Sequence, residues 1–539
     1  MGVKSEMMVI SRWRVNGRGA LMLGFLFLGL FALSAAPTFL WSDSSKLALY
    51  VHDRVLGGTG FEKHFMHTWF GLLFSYLPVG FAYSQNLLSA FFGALTVVGW
   101  YAVLRGYGIE RVPAGLTAAS VGVSHLFWLY SSINETYTMV TFFMVAVWWC
   151  IQRWTETGGI RWLFIAATLS GMGFANHGMF LLFLPAFFMM MANKSRFRAS
   201  LREWTGRLAI LVTGFMLGAF PIFIIPLIQS EGLRVIFEGL MKTISEHTQY
   251  YMGGIRKFIR EVTRFPFYLA YQYPGVGFFI LIGGVVHGWR SLNRWHRYAV
   301  SWLVVVPMGF ALRYFLQRQF AMLIPVFLVL SLFLAYGIRV LLDRYRHNQW
   351  APLVLGVLLV GLPPFIYAAT YQVARHLDIP LPIRRLPYRD TYRYFLFPPK
   401  WMERGAEHYV NDAFRQARRN AVILSDFNPG MALLYAQKVR GDRPDLTLDI
   451  RIDTWIHRYG DPAPAIIRYL KTQVIDRGRT VYLADRWPAY YRPSVIRRCF
   501  KLIQTGGPLW EVVPKQSGNA GPCLNKLLEM LNQKAVTDE

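Results

Sequence analysis

Asp43 is the residue with the most chemical promise in this 539-residue chain. It stands just past the apolar run Ala20 to Trp41, in the order Trp41-Ser42-Asp43-Ser44. A carboxylate at the mouth of a loop can accept a proton from a hydroxyl, provided it is ionised and within hydrogen-bond reach. The same residue can cap a helix that starts at Ser44 or Ser45, a common task for Asp ahead of an apolar segment. One role does not exclude the other.

Other polar groups recur at the ends of apolar runs. His64-Phe-Met-His67 has the i, i+3 spacing of two ligands on one helical face, which suits a divalent metal, but no clear third ligand accompanies it. Glu135, in Asn134-Glu135, reads as a functional acid or as an acid lodged between helices. Asn176-His177 reads as a functional pair or as a turn whose His bonds its own loop. Arg313 and Arg318 have the fork geometry that grips a lipid phosphate, and they also suit interface anchors that snorkel to head groups. Asp426-Phe-Asn428 follows a strand and could bind a ligand, but reads first as a strand-end turn. The chain has no Walker loop, no Gly-x-Gly-x-x-Gly after a strand, no Gly-x-Ser-x-Gly and no zincin pair.

What must position these groups is a set of membrane helices. The chain is 54% hydrophobic and only 16% charged, with mean hydropathy +0.30, where soluble chains carry about 25% charged residues. Ala20 to Trp41 exceeds the roughly 20 apolar residues that a span requires. It shows no small-residue cleavage site and reads as a retained span, not a signal peptide. Further runs lie at about 85–104, 112–131, 135–152, 162–175, 178–192, 208–229, 269–288, 298–315, 320–338 and 350–369. They predict about eleven transmembrane helices. Residues 66–79 are apolar but too short to cross, and are expected to dip into the outer leaflet or lie along it.

Charge sets the orientation. Lys4, Arg12, Arg14 and Arg18 precede the first span against one Glu6, which places the N-terminus in the cytoplasm. Arg and Lys recur in alternate loops, at 105–111, 153–161, 194–207, 290–297 and 339–346. Asp43, His64, His67, Asn134, Glu135, Asn176, His177, Arg313 and Arg318 all then fall on the outer face. The 31 residues from Trp162 to Ala192 are fewer than two full spans need, so their turn must lie below the membrane surface or in a protein cavity. Much of the net charge of +27 is orientation charge of this kind, so no nucleic-acid partner is expected.

Two outer segments are longer, 42–68 and 230–268. The second interleaves Arg234, Lys242, Arg256, Lys257, Arg260 and Arg264 with apolar residues, as an interfacial amphipathic segment does. The transmembrane domain covers residues 1–370. Residues 371–539 are polar and predict a small C-terminal extracytoplasmic α/β domain. Its strands are expected at Ala421 to Asp426 and Thr480 to Asp485, and its helices at about 403–419, 430–439 and 464–474. Cys499 and Cys523 can form a disulfide outside the cytoplasm. Cys150, within an apolar run, reads as a packing residue.

Several of these motifs resemble one family. Trp41-Ser-Asp43-Ser, then His64 ahead of a short apolar segment, then Asn86-Leu-Leu-Ser-Ala-Phe-Phe-Gly-Ala-Leu95, resemble its N-terminal signature. Ser124-His125-Leu-Phe-Trp128 with Glu135-Thr-Tyr137-Thr resembles its Glu-Val-Tyr-Thr segment. Gly171-Met-Gly-Phe-Ala-Asn176-His177 resembles its Asn-His turn, and Gly441-Asp-Arg-Pro444-Asp445 its Arg-Pro-Asp-Val stretch. The family is a set of polytopic membrane proteins, long catalogued as a domain of unknown function. It includes the animal endoplasmic-reticulum O-mannosyltransferase acting on plexin-type IPT domains. The resemblance is best over about 36–190. Ser44-Ser45-Lys46 stands where the family commonly has Ser-Gly-Glu, and His64-Phe-Met-His67 replaces His-Pro-Pro-Gly, as in a divergent subgroup.

The resemblance implies a polytopic GT-C-like glycosyltransferase, with inversion at the sugar as the expectation from the superfamily. Asp43 is then the catalytic base. A polyprenyl-phosphate-linked hexose, with mannose as one candidate, enters from the membrane, and an acceptor hydroxyl on a protein or glycan receives the sugar. His64, His67, Asn134, Glu135, Asn176 and His177 would position substrates, with Arg313 or Arg318 on the departing phosphate. The competing readings are a transporter or flippase of lipid-linked glycans and a non-catalytic scaffold. Transporters place ionisable groups near the midplane and often show repeated halves; here the candidates gather at one face and no repeat is visible. A bacterial inner membrane suits the resemblance best, with the endoplasmic reticulum as the alternative.

Overall fold

A computed structural model describes residues 17–60, 62–192, 201–229, 232–314, 319–515 and 520–537. Lys4, Arg12, Arg14 and Arg318, on which expectations were placed, lie outside the described residues. The first apolar run does not remain helical to its end. Helix α1 (Gly17–Ser34) stops three residues before Pro37, whose ring removes a donor and turns the preceding residue away from helical geometry. Irregular backbone follows to Ser42, and α2 (Asp43–His52) begins at Asp43 itself. Helix α3 (Phe65–Phe74) has ten residues, too few to cross.

Then come α4 (Phe81–Gly106), α5 (Arg111–Gly122), α6 (His125–Ser131), α7 (Tyr137–Thr157) and α8 (Ile160–Asn176). Four helices are long and apolar enough to cross a bilayer: α1, α4, Phe320–Arg344 and Ala351–His376. Three bent pairs qualify together. These are α5 with α6 (65°), Thr205–Gly218 with Phe220–Ile228 (75°) and Ile255–Gln272 with Val276–Ser291 (113°). By length and composition the described residues thus supply four to seven crossings, against the eleven expected. Those at 135–152 and 298–315 fall mostly within continuous helices of 21 and 20 residues, while other runs counted as whole spans are shorter or bent. Residues 178–192, for example, hold a 3₁₀ turn, Gly178–Phe183, and the eight-residue helix Leu184–Met191.

Close backbone contact packs α8, which carries the Asn176-His177 turn, against Leu201–Gly218. A Cβ on Gly171 would lie 2.1 Å from the Phe215 carbonyl, and one on Gly218 would lie 1.9 Å from that of Thr168. Small residues let α8 and Leu201–Gly218 approach this closely, as paired membrane helices do. The segment 230–268, expected to lie outside, holds two helices, Leu233–Tyr251 and Ile255–Gln272, the second running on past residue 268. They expose Leu233, Phe237, Ile255, Ile259 and Phe267, an apolar surface suited to lying in the membrane interface.

The C-terminal residues form a five-stranded sheet of β1 (Val422–Leu424), β2 (Thr447–Asp449), β3 (Val481–Leu483), β4 (Phe500–Ile503) and β5 (Trp510–Pro514). Its order is β2-β1-β3-β5-β4; the first three are mutually parallel, and β5 and β4 run antiparallel. Val422, Ile423, Leu424, Val481 and Leu483 are fully buried in its core. Helices Gly405–Gln416, Phe427–Val439 and Ala463–Leu470 belong to the same unit. A Cys499–Cys523 disulfide joins the start of β4 to the last helix.

Candidate functional site

The site is held together by buried amides. Asn86, on α4, donates from Nδ2 to the carbonyls of Ala36 (2.7 Å) and Thr38 (3.2 Å), fixing the irregular segment that follows α1. Its Oδ1 accepts the Asn134 amide N–H at 2.8 Å. Asn134 in turn donates from Nδ2 to the Ser44 carbonyl (2.9 Å), which settles which end of its amide is oxygen. That oxygen, Oδ1, faces His67 Nε2 at 2.9 Å, so Nε2 carries the proton. His67 is fully buried, and its Nδ1 has no hydrogen-bond partner among the described residues. Ser89 Oγ and the Glu135 backbone exchange bonds of 3.1 Å. Four separate chain segments are thereby locked around one point.

His64 stands at the N-terminus of α3 with φ 54°, a left-handed conformation uncommon for a side chain of its size. Its Nδ1 donates to the Asn176 carbonyl at 2.7 Å. Burial pushes the His64 imidazole down to about 4, overcoming that bond and the Asp43 and Glu62 carboxylates, which favour the charged form. At neutral pH the ring is therefore uncharged, with its proton on Nδ1 and a lone pair on Nε2. The His177 ring lies 5.1 Å from that of His64 and 5.5 Å from that of Tyr137. His177 Nδ1 accepts the Met179 N–H at 3.2 Å. Asn176 donates to the Thr136 carbonyl (3.2 Å), and its fully buried Oδ1 has no hydrogen-bond partner among the described residues. Buried polar atoms of this kind are costly in an apolar bundle unless they line a cavity that receives something polar.

Asp43 is the first residue of α2, and Ser42, with φ 64°, occupies the capping position. The capping role considered for Asp43 thus falls to Ser42, whose side chain makes no cap bond. A carboxylate in the first turn is favoured by the helix dipole. Asp43 and Glu135 both act electrostatically on the Tyr137 hydroxyl, and Asp43 also acts on His64. So Asp43, His64, His67, Asn134, Glu135, Asn176 and His177 converge, although they come from six elements or turns. Arg313 is exposed and engages the turn after Leu233–Tyr251: its Nε faces the Gly253 carbonyl at 3.3 Å and its own carbonyl accepts from Gly253 N at 2.7 Å. The neighbouring Tyr314 acts electrostatically on Tyr137, so this turn borders the cluster. Among the described residues, no group of three His, Cys, Asp or Glu side chains is placed to hold a metal ion.

Sequence reasoning missed Glu62, Tyr137 and Lys46. Glu62 accepts from Thr243 Oγ1 at 3.0 Å and faces His64 electrostatically, tying the first outer segment to Leu233–Tyr251. Its place two residues before His64 was a usable signal. The sheet unit also reaches the site. Ser42 N donates to the Asn428 carbonyl (3.3 Å), Phe39 stacks on Tyr435 (4.6 Å) and Lys438 pairs with Asp53 (2.7 Å). The Lys46 ammonium lies 5.6 Å from the Phe427 ring. Asp426 caps Phe427–Val439 by accepting from Asn428 N at 3.0 Å, as a strand-end turn would.

The fold resembles that of GT-C glycosyltransferases of known structure. The fold is similar to the crystal structure of ArnT from Cupriavidus metallidurans bound to undecaprenyl phosphate, with TM-score 0.56 and 12% identity over 92% of this chain and 98% of that one. It is also similar to the arabinofuranosyltransferase AftD from Mycobacteria, with TM-score 0.51 and 11% identity over 93% of this chain and 40% of that one. Within that fold, residues 65–200 match the family model of the protein O-mannosyl-transferase TMEM260 N-terminal domain. The matched segment contains His67, Asn134, Glu135, Asn176 and His177. No curated protein sequence matches the chain.

Proposed function

We propose that this protein is a membrane glycosyltransferase that moves a hexose, with mannose the favoured sugar, from a polyprenyl-phosphate carrier to an acceptor hydroxyl. The observation that carries the proposal is the convergence of Asp43 with the His64–Asn176–His177 cluster inside a GT-C fold. The O-mannosyl-transferase family match supports mannose and a protein acceptor, with a glycan acceptor as the alternative. The acceptor oxygen forms a bond to the anomeric carbon while the bond from that carbon to the phosphate oxygen breaks. The bonding pair leaves with the phosphate, and Asp43 takes the hydroxyl proton. Attack opposite the leaving phosphate inverts the anomeric centre.

The uncharged His64 and the open Asn176 oxygen orient hydroxyls of sugar or acceptor, a contribution that rests on geometry more than on charge. His67 and Asn134 hold the Ser44 backbone, and with it Asp43, in place. Arg313, and Arg318 beyond the described residues, offset charge on the departing phosphate. The site and the sheet unit share the outer face of a bacterial inner membrane in this reading, and the disulfide supports that side. Clustering at one end of the helices favours an enzyme over a transporter. The deciding experiment is sugar transfer in nanodiscs from labelled polyprenyl-phosphate hexoses to membrane extract. Wild type should transfer, and Asp43→Asn of equal thermal stability should lose at least about a hundredfold in rate. Equal transfer by both removes Asp43 from the mechanism.

A further inference from the structure

Arg105, Arg111, Arg339 and Arg346 surround a cavity of about 700 Å³ together with Glu110 and Asp343. It lies at the far end of α4 from the candidate site: Arg105 is nineteen residues beyond Asn86, about 28 Å along the helix at 1.5 Å per residue. That distance is close to the thickness of a bilayer's hydrocarbon core, roughly 30 Å. The cavity is therefore a separate site at the opposite membrane interface.

Its chemistry is that of an anion receptor. Both acids are engaged, since Arg339 approaches Glu110 at 3.4 Å and Asp343 at 3.9 Å, and Glu110 also acts on Arg105. Arg111 and Arg346 are exposed and have no carboxylate partner among the described residues. The first turns of two helices, α5 at Arg111 and the span beginning at Ala351, also line the cavity and add their positive ends. Tyr345 and Trp350, 53% and 60% exposed, flank it in the turn between two membrane spans, the level at which such rings sit among head groups. Charge that only oriented the chain would not need to converge on a cavity or on two helix ends.

We infer that this cavity binds a phosphate group, supplied by the head group of an anionic membrane lipid. Basic pockets between spans hold such head groups, and each Lys or Arg near the surface contributes measurably. The test uses full-length protein in detergent, with lipid retention read by native mass spectrometry. Wild type should retain dioleoyl phosphatidylglycerol about tenfold better than dioleoyl phosphatidylcholine. Arg111→Gln with Arg346→Gln, both exposed positions, should abolish that preference. Arg290→Gln with Arg294→Gln, which removes equal charge outside the cavity, should preserve it. Inorganic phosphate, titrated calorimetrically into the same protein, separates the sources. Weak or no binding of phosphate beside strong lipid retention supports a lipid head group. Tight phosphate binding without lipid preference overturns the lipid source. Preference surviving in the Arg111/Arg346 variant, or lost equally in both double variants, overturns the site.

Discussion

His67 and Asn134 meet at 2.9 Å in the interior, although one lies on α3 and the other in the turn before α7. The same Asn134 amide holds the Ser44 carbonyl, so a single side chain joins the candidate base loop to two membrane elements. Asn134→Asp is the informative change, because it preserves shape while setting a second oxygen against the Ser44 carbonyl. Each buried group left unsatisfied costs about 1–3 kcal/mol. Asn134→Asp should lower the thermal midpoint, followed by intrinsic fluorescence in detergent, and should reduce sugar transfer with it. An unchanged midpoint would remove Asn134 from this structural role.

Much of this was readable in the sequence because apolar runs bracket the polar groups. Asp43, Asn134 and Asn176-His177 each stand at the boundary of a run, so the expected topology grouped them before the hydrogen bonds did. Glu62 was not readable that way: it lies within a loop with no apolar boundary, its only sequence signal was its place two residues before His64, and the fold alone carries it to Thr243. Tyr137 looked like part of an apolar span. The bend between α5 and α6 was missed because residues 112–131 read as one run, and Ser124 stands where the helix breaks. In the sheet, β1 and β3 were visible as buried aliphatic runs ending in Asp. Strand β2 is a three-residue edge with an exposed first position, and β4 alternates imperfectly, so neither leaves a period to detect.

His64 gives the protein a specific acid sensitivity. Its folded value of about 4 lies below the ordinary 6.5, so between those limits the unfolded chain binds more protons than the folded one. Stability therefore rises with pH through that window and falls as pH drops from 6.5 toward 4. Replacing the imidazole by His64→Gln removes this contribution. Thermal midpoints at pH 7 and pH 5 should differ less for the variant than for wild type. An equal drop in both would show that His64 does not titrate in this window.

The sheet unit depends on Arg384, which is buried and forks onto Asp426 with bonds of 2.8 and 2.9 Å while its Nε reaches Asp485 at 3.0 Å. The Tyr491 hydroxyl adds a 2.6 Å bond to Asp426. Removing one member of a buried ion pair leaves an uncompensated charge and costs about 3–5 kcal/mol. Arg384→Ala should expose residues 371–515 to limited proteolysis under conditions where wild type resists. Arg384→Lys should rescue only partly, because a lysine keeps the charge and loses the fork. Full resistance in Arg384→Ala would show that the carboxylates find other partners.

Asp453 titrates with the opposite sign to His64. Burial, with the nearby Asp426 carboxylate, pushes it up to about 7 even though its Oδ2 accepts the Phe427 N–H at 2.5 Å. Between 3.8 and 7 the folded chain holds the extra proton, so this group stabilises the fold at low pH, and the contribution is lost as pH rises through 7. Phe427 begins the helix that rests on the Asp43 loop, so the strain of an ionised Asp453 is placed next to the candidate site. Asp453→Asn keeps an acceptor for Phe427 and cannot ionise. It should raise the thermal midpoint at pH 8 and leave it nearly unchanged at pH 5. A variant less stable than wild type at pH 8 would mean that the ionised carboxylate is the form this helix terminus requires.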